Sequence, residues 1–493
     1  QRYINQLGIL NFGFTLQAAW EGIGLTANLI FINGGPVALV WGTLISGIGH
    51  TAIAASLGEM ASMDPTVGAQ YRWSARFALR YPEFWGLMQG KNRWITTFAW
   101  VVTAAGPVVL PATATQAIVG FYNQEYTPKQ WHTTLLMWAY LCVAVFCNLY
   151  MRRILNTLET ASGAFHFLFY IVCIAILTTM AERPRKEARF VFGELISGVS
   201  GWENPGVAFH LGLLTTIFPL LAYDSILHMV DETQKPRERV PRAMVYSVSL
   251  NSIMAFGYVI CLMFCVGDVE KVSVAPQPIL EIYYQATKSK GAATTILVGH
   301  IYIILVSISN CFASSSRLVW AFAKDGGLPF RSYFSRIHPT LEVPLYALGL
   351  VSLVCILLSL INLGSSVALS AILSIPTVAL FVSYFIPIFH LVMRKLSGKH
   401  PRYGSFRFGR WGLPINLFSL CFCAWAAFWT AFPSSYPVRG VNMNYAGPAV
   451  IGLVLLALVD WSKKGKERFV VPTGVWNIEI DDGSEEADGR KGE

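Results

Sequence analysis

Two carboxylates in this sequence lie inside long apolar stretches. Glu21 falls in the middle of the stretch from Leu7 to Ile32, and glycines follow it at positions 22 and 24. A transmembrane helix needs roughly 20 apolar residues, so this stretch is long enough to cross a bilayer. A carboxylate at the centre of a membrane costs at least about 2.5 kcal/mol and usually faces a cavity or a partner. The position of Glu21 therefore indicates a functional site within the membrane.

The segment around Glu21 allows several chemical interpretations. Gly22-Ile23-Gly24 weakens a helix at the same depth, and backbone N–H groups freed there could bind a ligand carboxylate. Close helix packing is the alternative, because small residues also serve that role. Glu21 itself could attract an ammonium group, take up a coupling proton, or make a structural hydrogen bond to a neighbouring helix. An anion-binding backbone beside a carboxylate suits a zwitterionic ligand best.

The second deep carboxylate is Asp224, which follows Pro219 in another apolar stretch. Proline lacks a backbone N–H and can open a helix, so the segment from Pro219 to Asp224 predicts a break. Asp224 would either contact an amine or act at a gate, or else link its helix to another span. The other acidic residues in or near apolar stretches fall close to predicted helix ends, where we expect the membrane interface; they include Glu59, Glu159 and Asp460.

Three further residues are candidates for lining the same site. Trp100 and Tyr223 have aromatic faces that can hold a quaternary ammonium group by cation–π attraction. Asn310, with Ser314 one helical turn later, offers polar atoms in another apolar stretch. Most of the 15 Trp and 31 Phe residues must pack or face lipid, so packing is the alternative for each aromatic candidate.

The composition is that of a polytopic membrane protein. Of 493 residues, 54% are hydrophobic and only 13% are charged, whereas soluble chains have about 25% charged residues. The net charge is +9, but the basic residues form short clusters between apolar stretches rather than patches with interleaved aromatics, which argues against a nucleic-acid partner. We find neither a clustered metal-ligand set nor a nucleophile motif, so we expect no cofactor and no enzymatic activity. The nine cysteines form no CxxC pair, and we expect them to fill gaps between helices.

The apolar stretches predict twelve transmembrane helices. Most of the 37 Lys and Arg residues fall on one side, which places both termini in the cytoplasm under the positive-inside rule. The basic loop after the fifth span is an exception, and Lys91-Asn92-Arg93 interrupts the start of the third. The predicted spans are 8–32, 36–58, 94–120, 132–150, 158–180, 206–230, 243–266, 293–316, 344–362, 367–393, 412–432 and 446–461.

Three loop motifs carry a resemblance to a known family. They are Gly34-Gly35-Pro36 with residues 56–62 and 65–71, Asp231-Glu232 with Val240-Pro241-Arg242, and residues 316–329. Together they resemble the amino acid–polyamine–organocation superfamily, in particular its fungal amino acid/choline transporter branch, which includes GABA and choline permeases. The resemblance covers about residues 7–461 and rests on the order of the motifs among the predicted spans.

The resemblance implies the leucine-transporter-like fold. Two inverted repeats of five helices, residues 8–180 and 206–393, would form the core, and residues 412–461 would supply two peripheral helices. Residues 1–7 and 462–493 would be cytoplasmic. The first and sixth spans would each be broken at the membrane midplane, at Gly22-Ile23-Gly24 and before Asp224. Leu221 and Ala222 stand where the family has glycines, which puts the extent of the second break in doubt.

The function that the resemblance implies is secondary active transport of a small amino acid or amine, driven by protons, across the plasma membrane. Export of an amine-bearing metabolite and nutrient sensing without transport are the alternatives. The oligomeric state stays open, and the partners expected are the substrate and membrane lipid. Charged residues of the loop motifs would form a cytoplasmic gate of ion pairs, with simple solvation as the alternative; they are Glu59, Arg72, Glu232, Arg242, Arg317 and Asp325.

Overall fold

The protein is an all-helical membrane protein over the residues that its structure describes. The computed structural model describes residues 2–79, 94–151, 154–328, 330–364 and 368–460. In these ranges the only β-type contact is an isolated pairing of Ile4 with Thr233. Lys91-Asn92-Arg93, Pro329 and the predicted tail 462–493 lie outside the described residues. Nine described helices are long and apolar enough to cross a membrane: Gly35–Met63, Gln130–Tyr150, Leu155–Met180, Pro205–His228, Pro236–Phe264, Lys290–Lys324, Leu345–Gly364, Leu369–Leu396 and Gly409–Thr430.

Three other segments predicted as spans contain only shorter helices. The first is divided into Gln6–Gln17, Ala19–Leu25 and Asn28–Ile32. The third is divided into Trp94–Thr103 and Val109–Tyr122, an interruption that the sequence did not predict. The last consists of the 15-residue helix Ala446–Asp460.

Among the nine long segments of the described residues, the sixth span is the one whose helix is interrupted by a non-helical stretch within it. It runs as Pro205–Gly212 and Leu214–Ile217, continues in a 3-10 turn, and resumes as Ser225–His228. The interruption after Pro219 was predicted, because proline removes a backbone donor. Leu221 is extended and Ala222 has a φ of 66°, so the chain turns here without the glycines that the family has.

Several short helices lie in segments that the sequence analysis treated as loops. These helices were not predicted, because their apolar stretches are too short, or contain too many polar residues, to resemble a membrane span. They are Ala69–Phe77, Ala188–Gly193, Val269–Val274, Pro278–Thr287, Arg331–Phe334 and the 3-10 turn Gly409–Trp411.

Close helix packing positions the broken segments. The helix Pro236–Phe264 runs along Gly35–Met63, and a Cβ added at Gly47 would lie 2.8 Å from Cβ of Ser252. A glycine is required there because two backbones approach each other closely. Arg394 holds the short helix Ala69–Phe77 in place. Its Nε donates to the carbonyl of Phe77, the last residue of that helix, at 2.8 Å. A cation at a helix C-terminus also interacts favourably with the helix dipole.

Candidate substrate site between the broken helices

The first helix break lies at Ala18, which adopts a left-handed conformation with a φ of 42°. A buried amide from the helix Pro236–Phe264 holds this break. Oδ1 of Asn251 accepts from the N–H of Ala19 at 3.4 Å, and its Nδ2 donates to the carbonyl of Phe14 at 3.1 Å. Asn251 therefore supplies partners on both sides of Ala18, where the regular helical pattern of hydrogen bonds is interrupted.

One side chain connects the two helix breaks. Nε2 of Gln17 donates to the carbonyl of Leu220 in the sixth span at 2.9 Å. Oε1 of Gln17 accepts from Nδ2 of Asn251 at 3.2 Å. The first break, the second break and the helix Pro236–Phe264 thus share a continuous set of hydrogen bonds through two buried amides.

A small cavity lies between these breaks. Its volume is about 30 Å³, room for about two water molecules, since about 10 to 15 Å³ of such space holds one. Ser307 borders it and donates to the carbonyl of Leu16, beside the first break. The helices enclose a space too small for an amino acid in this conformation. The lining residues come from four spans: Leu16, Gln17, Gly22, Thr103, Pro107, Leu110, Phe218, Pro219, Leu221, Ala222, Ile304, Ser307 and Cys311.

The predicted break at Gly22-Ile23-Gly24 is wrong in position. All three residues lie within the helix Ala19–Leu25, and the N–H of Gly22 donates to the carbonyl of Ala18 at 2.8 Å. A Cβ at Gly22 would lie 2.9 Å from Cβ of Pro219, and one at Gly24 would lie 2.5 Å from Cδ1 of Ile279. These glycines allow close packing, the alternative interpretation, and glycine in a helix costs only about 1 kcal/mol.

Glu21 does not line the cavity and contacts a histidine of the helix Leu155–Met180. Oε1 of Glu21 and Nδ1 of His166 are 2.7 Å apart, and both side chains are fully buried. Oε2 of Glu21 and Nε2 of His166 have no hydrogen-bond partner among the described residues. Trp20 packs beside this pair against Tyr258 and His300, with ring centroids 4.9 and 5.0 Å apart.

Asp224 is held by side chains from three other helices. Its Oδ2 accepts from Nε2 of Gln70 at 2.5 Å and from Nε1 of Trp100 at 2.8 Å. Its Oδ1 accepts from the hydroxyl of Tyr384 at 2.5 Å. All of these groups are buried. In this conformation the carboxylate links helices, and Trp100 presents its indole N–H to it.

The remaining candidates for the lining do not reach the cavity. Asn310 donates to Oε2 of Glu159 and to Oγ1 of Thr15, each at 3.1 Å. The ring of Tyr223 lies 5.5 Å from that of Tyr384, on the side of Asp224 rather than of the cavity. Among the predicted substrate-binding residues, Gly22 is the one recorded in the lining. Glu159 is buried, and its Oε2 also accepts from the hydroxyl of Thr15 at 2.9 Å.

The charged residues of the loop motifs form separate contacts rather than one cluster. Nε of Arg317 lies 2.6 Å from Oε1 of Glu232, and the hydroxyl of Tyr3 donates to Oε2 of the same carboxylate. Glu59 pairs instead with Lys395 at 2.6 Å and is buried. The other predicted gate residues have their own surroundings: Arg72 donates to Thr66, Asp325 accepts from Tyr71, and Arg242 is exposed.

Comparison with known proteins identifies the family. The model of the amino acid permease family matches residues 12–456, which include both helix breaks and the cavity. The chain belongs to the amino acid permease family. This permease is thus a membrane transporter, as the resemblance implied, and the family is not enzymatic, as we expected from the residues.

Several relatives of the permease are similar over most of their length. The choline transporter of Saccharomyces cerevisiae is 30% identical over 465 residues, which cover 94% of this chain and 81% of the yeast protein. An amino-acid permease of Neurospora crassa is 28% identical over 465 residues, covering 93% and 82%. The amino-acid permease BAT1 of Arabidopsis thaliana is 26% identical over 479 residues, covering 93% and 91%.

Sequence reasoning missed the polar residues that organise the site. Gln17, Asn251, Gln70, Tyr384 and His166 are all buried and hydrogen-bonded to the breaks or to the two carboxylates. The available signal was a polar residue inside an apolar stretch, because buried polar groups need partners. That signal does not tell which partner each residue finds.

Proposed function

We propose that this permease is a secondary active transporter that moves a small amino acid or amine by alternating access. The observation that carries the proposal is the Gln17–Leu220 hydrogen bond of 2.9 Å, which joins two broken helices beside a cavity. Discontinuous helices that meet within the membrane are the usual substrate sites of transporters with inverted repeats. Twelve spans follow if the divided segments 6–32 and 94–122 and the short helix Ala446–Asp460 also cross the membrane.

The closed cavity implies that the substrate enters a different conformation. A volume of about 30 Å³ admits about two water molecules. Separation of the two half-helices around Gln17 would enlarge the space and expose backbone groups at Ala18 and Ala222. These groups, together with the hydroxyl of Ser307, would bind the polar ends of the substrate.

The substrate class is proposed from the site and from the relatives together. Two relatives are named amino-acid permeases and one a choline transporter. Choline and amino acids share a positively charged nitrogen, whereas amino acids alone carry a carboxylate. A cationic group is therefore the feature that we assign to the substrate, with Glu21 and Asp224 as buried carboxylates on the two broken helices.

A proton bound at the Glu21–His166 pair would drive transport. Both groups can exchange protons, and Oε2 of Glu21 and Nε2 of His166 lack hydrogen-bond partners among the described residues. A buried charge is stable only when it is paired, so protonation of either member changes the energy of the closed conformation. This pair is attached to the first break through the short helix Ala19–Leu25.

The contact of Glu232 with Arg317 and Tyr3 would close the cytoplasmic side. It connects the N-terminal segment, the end of the sixth span and the helix Lys290–Lys324. The proposal places both termini in the cytoplasm and the permease in the plasma membrane. Opening on this side would require the contact to break.

Uptake into reconstituted vesicles tests the proposal. The purified chain should take up one of the labelled compounds in a panel of choline, GABA and neutral and basic amino acids, and an inward proton gradient should accelerate uptake. Competition by choline and by no carboxylate-bearing compound would make the substrate a pure cation. Binding without any flux would contradict transport and favour a sensor. Release of preloaded compound driven by an inward proton gradient, without uptake, would favour an exporter.

A further inference from the structure

A second cavity, much larger than the one at the helix breaks, lies beside the end of the helix Val109–Tyr122. Its volume is about 420 Å³. It is bordered by that helix, by the connection that follows it, and by the start of the helix Pro278–Thr287. Neither its residues nor its position were part of the predicted site. We propose that this cavity binds a small organic cation, a primary or quaternary ammonium compound.

The walls of the cavity are fixed by buried amides. Oε1 of Gln116 accepts from Thr133 at 2.7 Å, and its Nε2 donates to the carbonyl of Lys129 at 3.0 Å. Nε2 of Gln277 donates to the carbonyl of Leu25 at 3.1 Å. Both amides are more than nine-tenths buried. Part of the cavity wall is therefore formed by side chains that hydrogen bonds hold in place, and Gln277 attaches this wall to the first span.

The charge of the lining selects a cation. Glu281 is the one charged side chain recorded in the lining, and no ion pair among the described residues involves it. Its Oε1 accepts from Nε2 of Gln285 at 2.8 Å, a neutral donor on the next turn of the same helix. A carboxylate without a basic partner attracts an ammonium group and repels an anion.

Two aromatic side chains, from the end of the helix Val109–Tyr122 and from the connection that follows it, also line the cavity. Phe121 and Tyr126 both border it. Nζ of Lys290 already lies 5.0 Å from the centroid of Phe121, within the range of a cation–π contact, and donates to the carbonyl of that residue at 3.0 Å. Lys290 does not itself line the cavity, and this bond holds its ammonium group at the backbone of Phe121.

The cavity lies at the end of the bundle opposite to the proposed gate. Lys290, beside Phe121, begins the helix Lys290–Lys324, and Arg317 lies near its other end. At 1.5 Å per residue these two positions are about 40 Å apart. With the proposed cytoplasmic position of Arg317, the cavity would open to the outside. The orientation of the cavity toward the outside rests on the proposed function, whereas the binding of a cation in the cavity does not.

Titration of the purified full chain with tetramethylammonium chloride tests the inference, with sodium chloride as the reference. We expect saturable binding that Glu281→Gln weakens at least tenfold. Gly120→Leu should also weaken it, since Gly120 lines the cavity and a Cβ there meets only Cδ1 of Tyr126, at 3.9 Å, so that the leucine side chain has room to occupy part of the cavity. Glu270→Gln, which neutralises an exposed carboxylate on the neighbouring short helix, should leave binding unchanged.

Folding of each variant is checked by its elution volume and unfolding temperature. No saturable binding to the parent, or binding equal in the parent, Glu281→Gln and Gly120→Leu, would overturn the inference. Uptake by vesicles separates this outcome from failure of the proposed function. Transport without tetramethylammonium binding rejects the cavity alone, whereas Glu281-dependent binding without transport supports the cavity and rejects the transport proposal.

Discussion

Nδ1 of His166 lies 2.7 Å from Oε1 of Glu21, with both side chains shielded from solvent by the surrounding helices. The two residues come from the first and fifth predicted spans, so their contact joins one half of a broken helix to a continuous one. A hydrogen bond contributes about 0.5 to 1.5 kcal/mol when both partners are neutral and about 1.5 to 3 kcal/mol when one is charged. Any change in the protonation of the pair therefore alters the energy with which these two helices are held together.

We predict that Glu21→Gln abolishes proton-driven uptake or uncouples it from pH, while the protein still inserts into the membrane. Glutamine keeps the size of the side chain but removes the proton-binding group. Initial rates in vesicles, measured across a range of pH, should fall by about tenfold, the change in rate that about 1.4 kcal/mol in barrier height produces, or should lose their dependence on pH. Glu182→Gln, at an exposed ion pair with Lys288, serves as the control. Full uptake with unchanged pH dependence would remove Glu21 from the site.

A second prediction concerns the carboxylate of Asp224. Tyr384→Phe removes the donor to Oδ1 and leaves a buried carboxylate oxygen without that partner. We expect a loss of about 1 to 3 kcal/mol in stability, seen as a lower unfolding temperature of the purified chain. Tyr333→Phe, at an exposed ring, is the matched control. If Asp224 bound substrate instead of linking helices, the temperature would stay the same and only KM would rise.

A third prediction addresses the amide that holds the first break. Asn251→Ala removes the partners of the Ala19 N–H, the Phe14 carbonyl and the Gln17 amide oxygen. Because the conformation at the site depends on these contacts, we expect the rate of uptake per folded molecule to fall. The comparison variant is Asn148→Ala, which loses hydrogen bonds to two backbone carbonyls away from the breaks. Equal losses of uptake per folded molecule in both variants would contradict a specific role for Asn251.

A fourth prediction tests the proposed gate. Glu232→Gln weakens the contacts with Arg317 and Tyr3 that hold the N-terminal segment. The N–H of Ile4 donates to the carbonyl of Glu232 at 3.0 Å. In the variant this N–H should exchange with deuterium about tenfold faster, because the lost charge-assisted hydrogen bond contributes about 1.5 to 3 kcal/mol. Mass spectrometry of the N-terminal peptide measures this rate. Arg242→Gln, at an exposed residue, should leave it unchanged, and an unchanged rate in Glu232→Gln would exclude the contact as a latch.

The sequence predicted the features that depend on local composition. Long apolar stretches predicted the membrane helices, because a bilayer demands about 20 such residues. Pro219 predicted the interruption before Asp224, because the loss of a backbone donor is a local property. Burial of Glu21 and Asp224 followed from their apolar surroundings in the same way.

The contacts between distant residues could not be predicted. Asn251 lies 232 positions after Ala19, and nothing in either neighbourhood indicates the other. The three donors to Asp224 come from helices separated by at least 124 positions from it. The loop motifs contain several acidic and several basic residues, so the sequence allowed many different ion pairs at the gate. The packing of the helices brings Arg317 and Glu232 together.

The left-handed conformation of Ala18 has a consequence for the order in which the protein assembles. For a residue other than glycine this conformation costs roughly 1 to 2 kcal/mol, and no proline or glycine adjoins Ala18 to favour it. Its stabilising partner, Asn251, is synthesised long after the first span has left the ribosome. We expect the nascent segment 6–25 to enter the membrane as one continuous helix that bends at Ala18 only when the helix carrying Asn251 docks against it.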